Sequence, residues 1–151
     1  MNEVDQGQAL SFEKREYQDR LSKAREMLEA EGVSAALLFA QETDYYLTGY
    51  DTSGFVFFQC LILDTQTSSL TLLTRRPDLV QARDTSIIDD IRIWWDADNA
   101  NPALELRTIL KEKGLTGKRI GIELSTHGLT GFNHKRVVDA LYDFCTLVDI
   151  S

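Results

Sequence analysis

The sequence predicts an α/β domain: a mixed sheet of six strands with helices on both faces. Three observations carry that expectation. The run Phe55-Val56-Phe57-Phe58-Gln59-Cys60-Leu61-Ile62-Leu63 is apolar at every position but Gln59 and stops at Asp64, which reads as a strand buried on both faces at the centre of the sheet. A short Thr/Ser turn joins it to Leu70-Thr71-Leu72-Leu73-Thr74, so these two strands pair as an antiparallel hairpin. Beyond residue 90, strand and helix patterns alternate, which is the rhythm of a sheet covered on both sides.

In chain order, residues 1 to 10 are polar and aperiodic and read as a flexible lead-in, with one domain over 11 to 151. Ser11 is a candidate cap, Glu13 and Glu16 suit a first turn, and Tyr17, Leu21, Ala24 and Leu28 recur at helical spacing, so one stripe faces the core until Gly32 ends the helix. Ala35-Ala36-Leu37-Leu38-Phe39 follows as a short buried strand, and 43 to 47 as a single helical turn. Arg75-Arg76-Pro77-Asp78 starts a short helix, with proline at the first helical position.

Ile91-Arg92-Ile93-Trp94-Trp95 is the next strand. Asn101 before Pro102 signals a helix whose Ala103, Leu106, Ile109 and Leu110 share a face, closed by Gly114. The remaining elements are strand 120 to 124, a helix from 130 to 144 with Val137, Val138, Leu141 and Tyr142 on its apolar side, and strand 146 to 150.

Composition narrows the function classes. With 151 residues, 43% of them hydrophobic, the chain supports one well-buried core. A net charge of −8 and a pI near 4.7 oppose binding to nucleic acid or to anionic lipid. No apolar run reaches the roughly 20 residues that span a bilayer, and the first residues are charged, so the expectation is a cytoplasmic protein with no membrane partner. Two cysteines, Cys60 in the central strand and Cys145 near the end, read as free thiols.

Chemistry-bearing patterns are sparse. His127 and His134 stand seven apart, outside the spacing that puts two ligands on one helix face. Ser125, His127 and Asp139 lack the flanking glycines of a nucleophile elbow, and neither glycine-rich nucleotide motif is present. Trp94 and Trp95, ahead of Asp96, Asp98 and Asn99, either face a polar ligand or divide between core and rim. The remaining concentration is the segment 42 to 54, with Tyr45, Tyr46 and Tyr50, Asp51, and the glycines Gly49 and Gly54. It is either a packing turn or a site on a loop held by a rigid strand.

The order of these pieces adds a further line. Asp44-Tyr45-Tyr46-Leu47-Thr48-Gly49-Tyr50, the apolar strand ending in Asp64, the hairpin, Lys118-Arg119-Ile120-Gly121-Ile122-Glu123 and a final Leu147-Val148-Asp149-Ile150-Ser151 resemble, from about Phe12 to Ser151, the N-terminal domain of the creatinase/prolidase (Xaa-Pro dipeptidase, aminopeptidase P) metallopeptidase family. The resemblance implies a ribonuclease-H-like fold ahead of a larger pita-bread catalytic domain. In that domain two aspartates, a histidine and two glutamates hold two divalent metal ions (Mn, Zn or Co) beside a catalytic histidine. None of this is in the chain, so the resemblance implies no cofactor and no catalytic residue here, and a chain ending where the linker would begin. The implied partners are the protein's own C-terminal catalytic domain and a second subunit of a homodimer.

In creatinase, a phenylalanine and an arginine of this domain approach the neighbouring subunit's substrate. Counting back from Asp64, those positions fall on Phe55 and Phe57: the aromatic is kept and the arginine is lost, which favours Xaa-Pro peptides, or another small amide, over creatine. The expected function is therefore a non-catalytic domain that supports dimerisation and supplies one wall of the partner subunit's active site through Tyr50, Asp51, Phe55 and Phe57. The alternative is a free-standing binding module using the same aromatic loop for a small ligand or a protein.

Overall fold

The computed structural model describes residues 12–52, 57–67 and 69–151. The elements, in order, are α1 Lys14–Ala30, β1 Ala35–Leu38, α2 Gln41–Thr48, β2 Cys60–Asp64, β3 Leu70–Arg75, a 3-10 turn Arg76–Asp78, α3 Leu79–Thr85, β4 Asp90–Trp94, α4 Pro102–Glu112, β5 Arg119–Ile122, α5 Gly131–Leu141 and β6 Thr146–Asp149. The expected lead-in and the expected Ser11 cap lie outside the described residues. Helix α1 begins at Lys14 behind Glu13, whose side chain makes no capping bond. It ends as expected at Gly32, which adopts φ 74°, a conformation that costs glycine no steric penalty. Helix α4 starts as its sequence indicates: Asn101 accepts a hydrogen bond from Ala103 N.

The six strands form one mixed sheet in the order β4-β3-β2-β1-β5-β6. The expected hairpin is present, with Cys60 opposite Leu73 and Leu63 opposite Leu70. Strand β2 also runs antiparallel to β1, whereas β1 with β5, β5 with β6 and β3 with β4 are parallel. Alternate residues of each strand point to opposite faces, and two cores result. Ala35, Leu37, Cys60 and Ile62 meet Leu106, Ile109 and Leu110 of α4 and Val137 and Leu141 of α5. Ala36, Leu38, Leu61, Leu63 and Leu72 meet Leu21 of α1, Leu47 of α2 and Ala82 of α3. Each fully buried leucine or isoleucine contributes about 1.5–3 kcal/mol relative to exposure.

Several boundaries differ from the sequence expectation. Of the expected central strand, Phe55 and Val56 lie outside the described residues, and the strand pairs from Cys60; Phe57 occupies a bend and is 43% exposed, while Phe58 turns inward. Pairing cannot start earlier on the β1 side because β1 ends at Leu38, opposite Leu61. Helix α2 runs for eight residues, about two turns where one was expected. Tyr142 lies past the end of α5 and is exposed rather than apolar-face packing.

Both cysteines are free, Cys60 buried and Cys145 half-buried. Burial, reinforced by the charge of Asp44, pushes the Cys60 thiol well above its ordinary range, and burial pushes Cys145 up to about 11. Since the thiolate is the reactive form, a thiol reagent is expected to label Cys60 only as fast as the sheet opens. Rapid labelling of Cys60 without denaturant would show that β2 is accessible from outside.

Candidate functional site

The parallel strands β1 and β5 end side by side, and the chain leaves β1 directly into α2. The first turn of α2 has no local cap, because position 40 is alanine and makes no side-chain capping bond. Glu123, the residue after β5, fills that role. Its Oε1 accepts from Phe39 N at 2.9 Å and Ala40 N at 2.7 Å, and its Oε2 accepts from Thr43 Oγ1 at 2.8 Å. A carboxylate at a helix N-terminus satisfies orphan amides and meets the positive end of the helix dipole.

One turn on, Thr48 Oγ1 donates to Asp44 O at 2.6 Å and accepts from Tyr50 N at 3.1 Å. Gly49, with φ 81°, reverses the chain. Tyr50 is consequently aimed inward: it is fully buried, and its hydroxyl donates to Gln59 Oε1 at 2.9 Å. Burial, above all, pushes its phenol up to about 12, so it stays a neutral donor. Asp51 faces solvent, its amide fixed by Thr85 Oγ1 at 3.1 Å. The Gln41 side chain bonds Thr52 O and ties the following residue back to α2.

The far side of this loop meets the ends of β3 and β4. Arg75 stands opposite Trp94 in register, and Trp94 Nε1 donates to Phe58 O at 2.9 Å. That bond anchors the bend carrying Phe57. The Arg75 guanidinium lies 3.4 Å from the centroid of the Phe57 ring, with Asp78 and Asp96 each 3.7 Å from its nitrogens. Next to it, Arg76 lies 5.5 Å from the centroid of Trp95, which is 64% exposed. The two tryptophans thus divide between core and rim. Two guanidinium groups over two aromatic rings form an edge suited to flat apolar or anionic groups.

Of the four residues marked by sequence, Asp51 and Phe57 reach the surface, Tyr50 supports the loop from inside, and Phe55 lies outside the described residues. Tyr50 therefore cannot itself face a partner in this fold, since the αL turn at Gly49 directs its ring into the core. Arg75, Arg76 and the clasp of Glu123 were missed. The double arginine following one strand and the double tryptophan ending the next were the available signals, but their pairing needs the β3–β4 register. Ser125 and His127 border a small cavity of about 400 Å³ with Gln41, Glu42 and Gly128, and Asp139 is not among its lining. Among the described residues no group of three or more His, Cys, Asp or Glu side chains is placed to hold a metal ion. No described helix is long and apolar enough to cross a membrane.

Comparison with known proteins gives one consistent result. The profile of the Creatinase/Prolidase N-terminal domain matches residues 20–151. Recombinant prolidase from Thermococcus sibiricus superposes with a TM-score of 0.70 at 24% identity, over 89% of this chain and 35% of its own. A dipeptidase from Pyrococcus horikoshii gives 0.70 at 22%, over 87% and 34%. The N-terminal domain of the cytoplasmic peptidase PepQ from Mycobacterium tuberculosis gives 0.68 at 21%, over 88% and 93%. These likenesses establish the fold, and the chain spans about a third of the length of the first two structures. No curated protein sequence matches.

Proposed function

The chain belongs to the creatinase/prolidase N-terminal domain family, and from that premise we propose that it serves a Xaa-Pro peptide hydrolase as a non-catalytic domain, closing one wall of the active site of a second subunit. In the proposed parent, the metal ions and the reacting groups belong to the catalytic domain, and this chain contributes shape, charge and exclusion of water. One observation carries the reading: the edge at the ends of β3 and β4 where the Arg75 and Arg76 guanidiniums lie over the partly exposed Phe57 and Trp95 rings. Trp and Arg side chains are among the residue types that dominate binding interfaces.

The pairing of Arg75 with Phe57 also bears on substrate class. At position 57, where the resemblance would place an arginine, the phenylalanine ring carries the Arg75 guanidinium, delivered from β3. The edge thus keeps an aromatic beside a cation, with Asp51 as the counterpart for a substrate amino group. A proline ring against Phe57 or Trp95 would gain apolar burial, part of which, about 1.4 kcal/mol of transition-state binding, is lost on truncating one partly exposed ring.

In the full-length enzyme, Trp95→Ala and Asp51→Ala are each expected to lower kcat/KM for a Xaa-Pro dipeptide by about tenfold, roughly 1.4 kcal/mol, while stability changes by less than about 0.5 kcal/mol, as at other exposed sites. Mixed dimers locate the effect: a subunit with an inactivated catalytic domain and an intact edge should restore a partner whose edge is altered. Unchanged kinetics for both variants, or no restoration in the mixed dimers, would defeat the trans-acting wall.

A further inference from the structure

Asp44, like Asp78, has a buried carboxylate oxygen without a hydrogen-bond partner, but Asp78 has the Arg75 guanidinium 3.7 Å away. Asp44 lies in the first turn of α2 and is only 3% exposed, and the unpartnered atom is its Oδ1. The charged and titratable groups acting on it are acidic: Glu123, held against the same turn from the end of β5, and Glu42 on its own helix. Its charge in turn reaches Cys60 on β2 and Tyr50 beyond α2, and Tyr50 also feels Asp78. Arg20, which reaches α2 from α1, is committed to Tyr46 O at 2.7 Å and to Glu16. A carboxylate buried beside other carboxylates, with no cation acting on it among the described residues, is costly.

We propose that the first turn of α2 is a proton-dependent latch, in which Asp44 sits as the neutral acid and loss of its proton to solvent loosens α2 and the 49–51 loop that α2 holds. The connection is covalent and hydrogen-bonded. Asp44 O accepts from Thr48 Oγ1, which accepts from Tyr50 N, and Tyr50 leads into Asp51. Burial first, then the charges of Glu123 and Glu42, hold the Asp44 carboxyl well above the ordinary carboxylate range. The direction of the pH effect follows from that. Because the folded state keeps the proton longer than the unfolded chain does, Asp44's contribution is fully present below the unfolded value of about 3.9. It declines as pH rises and is lost once pH passes the folded value.

The test is an NMR titration of the Asp44 side-chain carboxyl in the chain of 151 residues, with amide exchange at Gly49, Tyr50 and Asp51 followed in the same samples. Asp44 should titrate above the other carboxylates, amide exchange should quicken through that same midpoint, and Asp44→Asn should abolish the quickening. Its stability relative to wild type should also rise across the window. Should Asp44→Asn fail to fold, Glu42→Gln removes one repelling charge from an exposed position and should move the Asp44 midpoint to lower pH. Titration of Asp44 together with the surface acids, loop exchange with the same pH dependence in Asp44→Asn, or a midpoint unmoved by Glu42→Gln would overturn the latch.

Discussion

Glu123→Ala is expected to destabilise the domain by about 3–5 kcal/mol, since it leaves two amides unsatisfied at about 1–3 kcal/mol each and removes a third hydrogen bond to the carboxylate. The side chain accepts three hydrogen bonds, from Phe39 N, Ala40 N and Thr43 Oγ1, and its removal leaves two backbone amides at a helix N-terminus without a partner. Buried donors so orphaned cost more than the bonds themselves contributed. For a domain of this size the melting temperature should fall by roughly 10 °C. Glu123→Gln keeps an acceptor oxygen toward the amides but loses the charge, and should fall between wild type and alanine. Denaturant unfolding of the three proteins checks the series; an alanine variant within about 1 kcal/mol of wild type would mean that water replaces the clasp.

Gly49→Ala is expected to cost about 3 kcal/mol, the sum of a strained left-handed residue and a steric overlap. Gly49 has φ 81°, and a Cβ built there would lie 2.7 Å from Thr85 O and 2.9 Å from Tyr17 Oη. The first of these is backbone of α3 and cannot swing away. The second belongs to a fully buried tyrosine of α1. Relief would therefore move α1 or α3 away from the end of α2 and disturb Asp51, whose amide is held by Thr85. Gly32→Ala is the control, because it shares the positive φ but has nothing within 4 Å of an added Cβ; it should cost only about 1–2 kcal/mol. Equal losses for the two variants, measured by equilibrium unfolding, would show that backbone strain alone matters and that Gly49 does not need the close approach.

The six strands, the hairpin, the caps of α4 and the glycine stop of α1 were all legible in the chain, because each rests on neighbours within a few residues. Periodicity reports which side of an element is apolar, and Asn101, Pro102 and Gly32 mark ends by their own backbone chemistry. The family likeness was legible for the same reason, as short motifs in order. What tertiary structure alone decided depends on partners far apart in sequence. Helix α2 extends past one turn because Glu123, some eighty residues later, caps a helix whose own residue 40 is alanine. Strand β2 begins only at Cys60, because a strand starts where its neighbours can pair with it. Tyr50 turns inward and Asp51 outward because Gly49 must clear Tyr17 and Thr85, which belong to α1 and α3. Arg75 reaches Phe57, and Arg76 reaches Trp95, through the parallel β3–β4 register. An amino-acid pattern states how much of a residue prefers to be buried, but the groups that satisfy its polar atoms and stop its neighbours are supplied only when distant strands come into register.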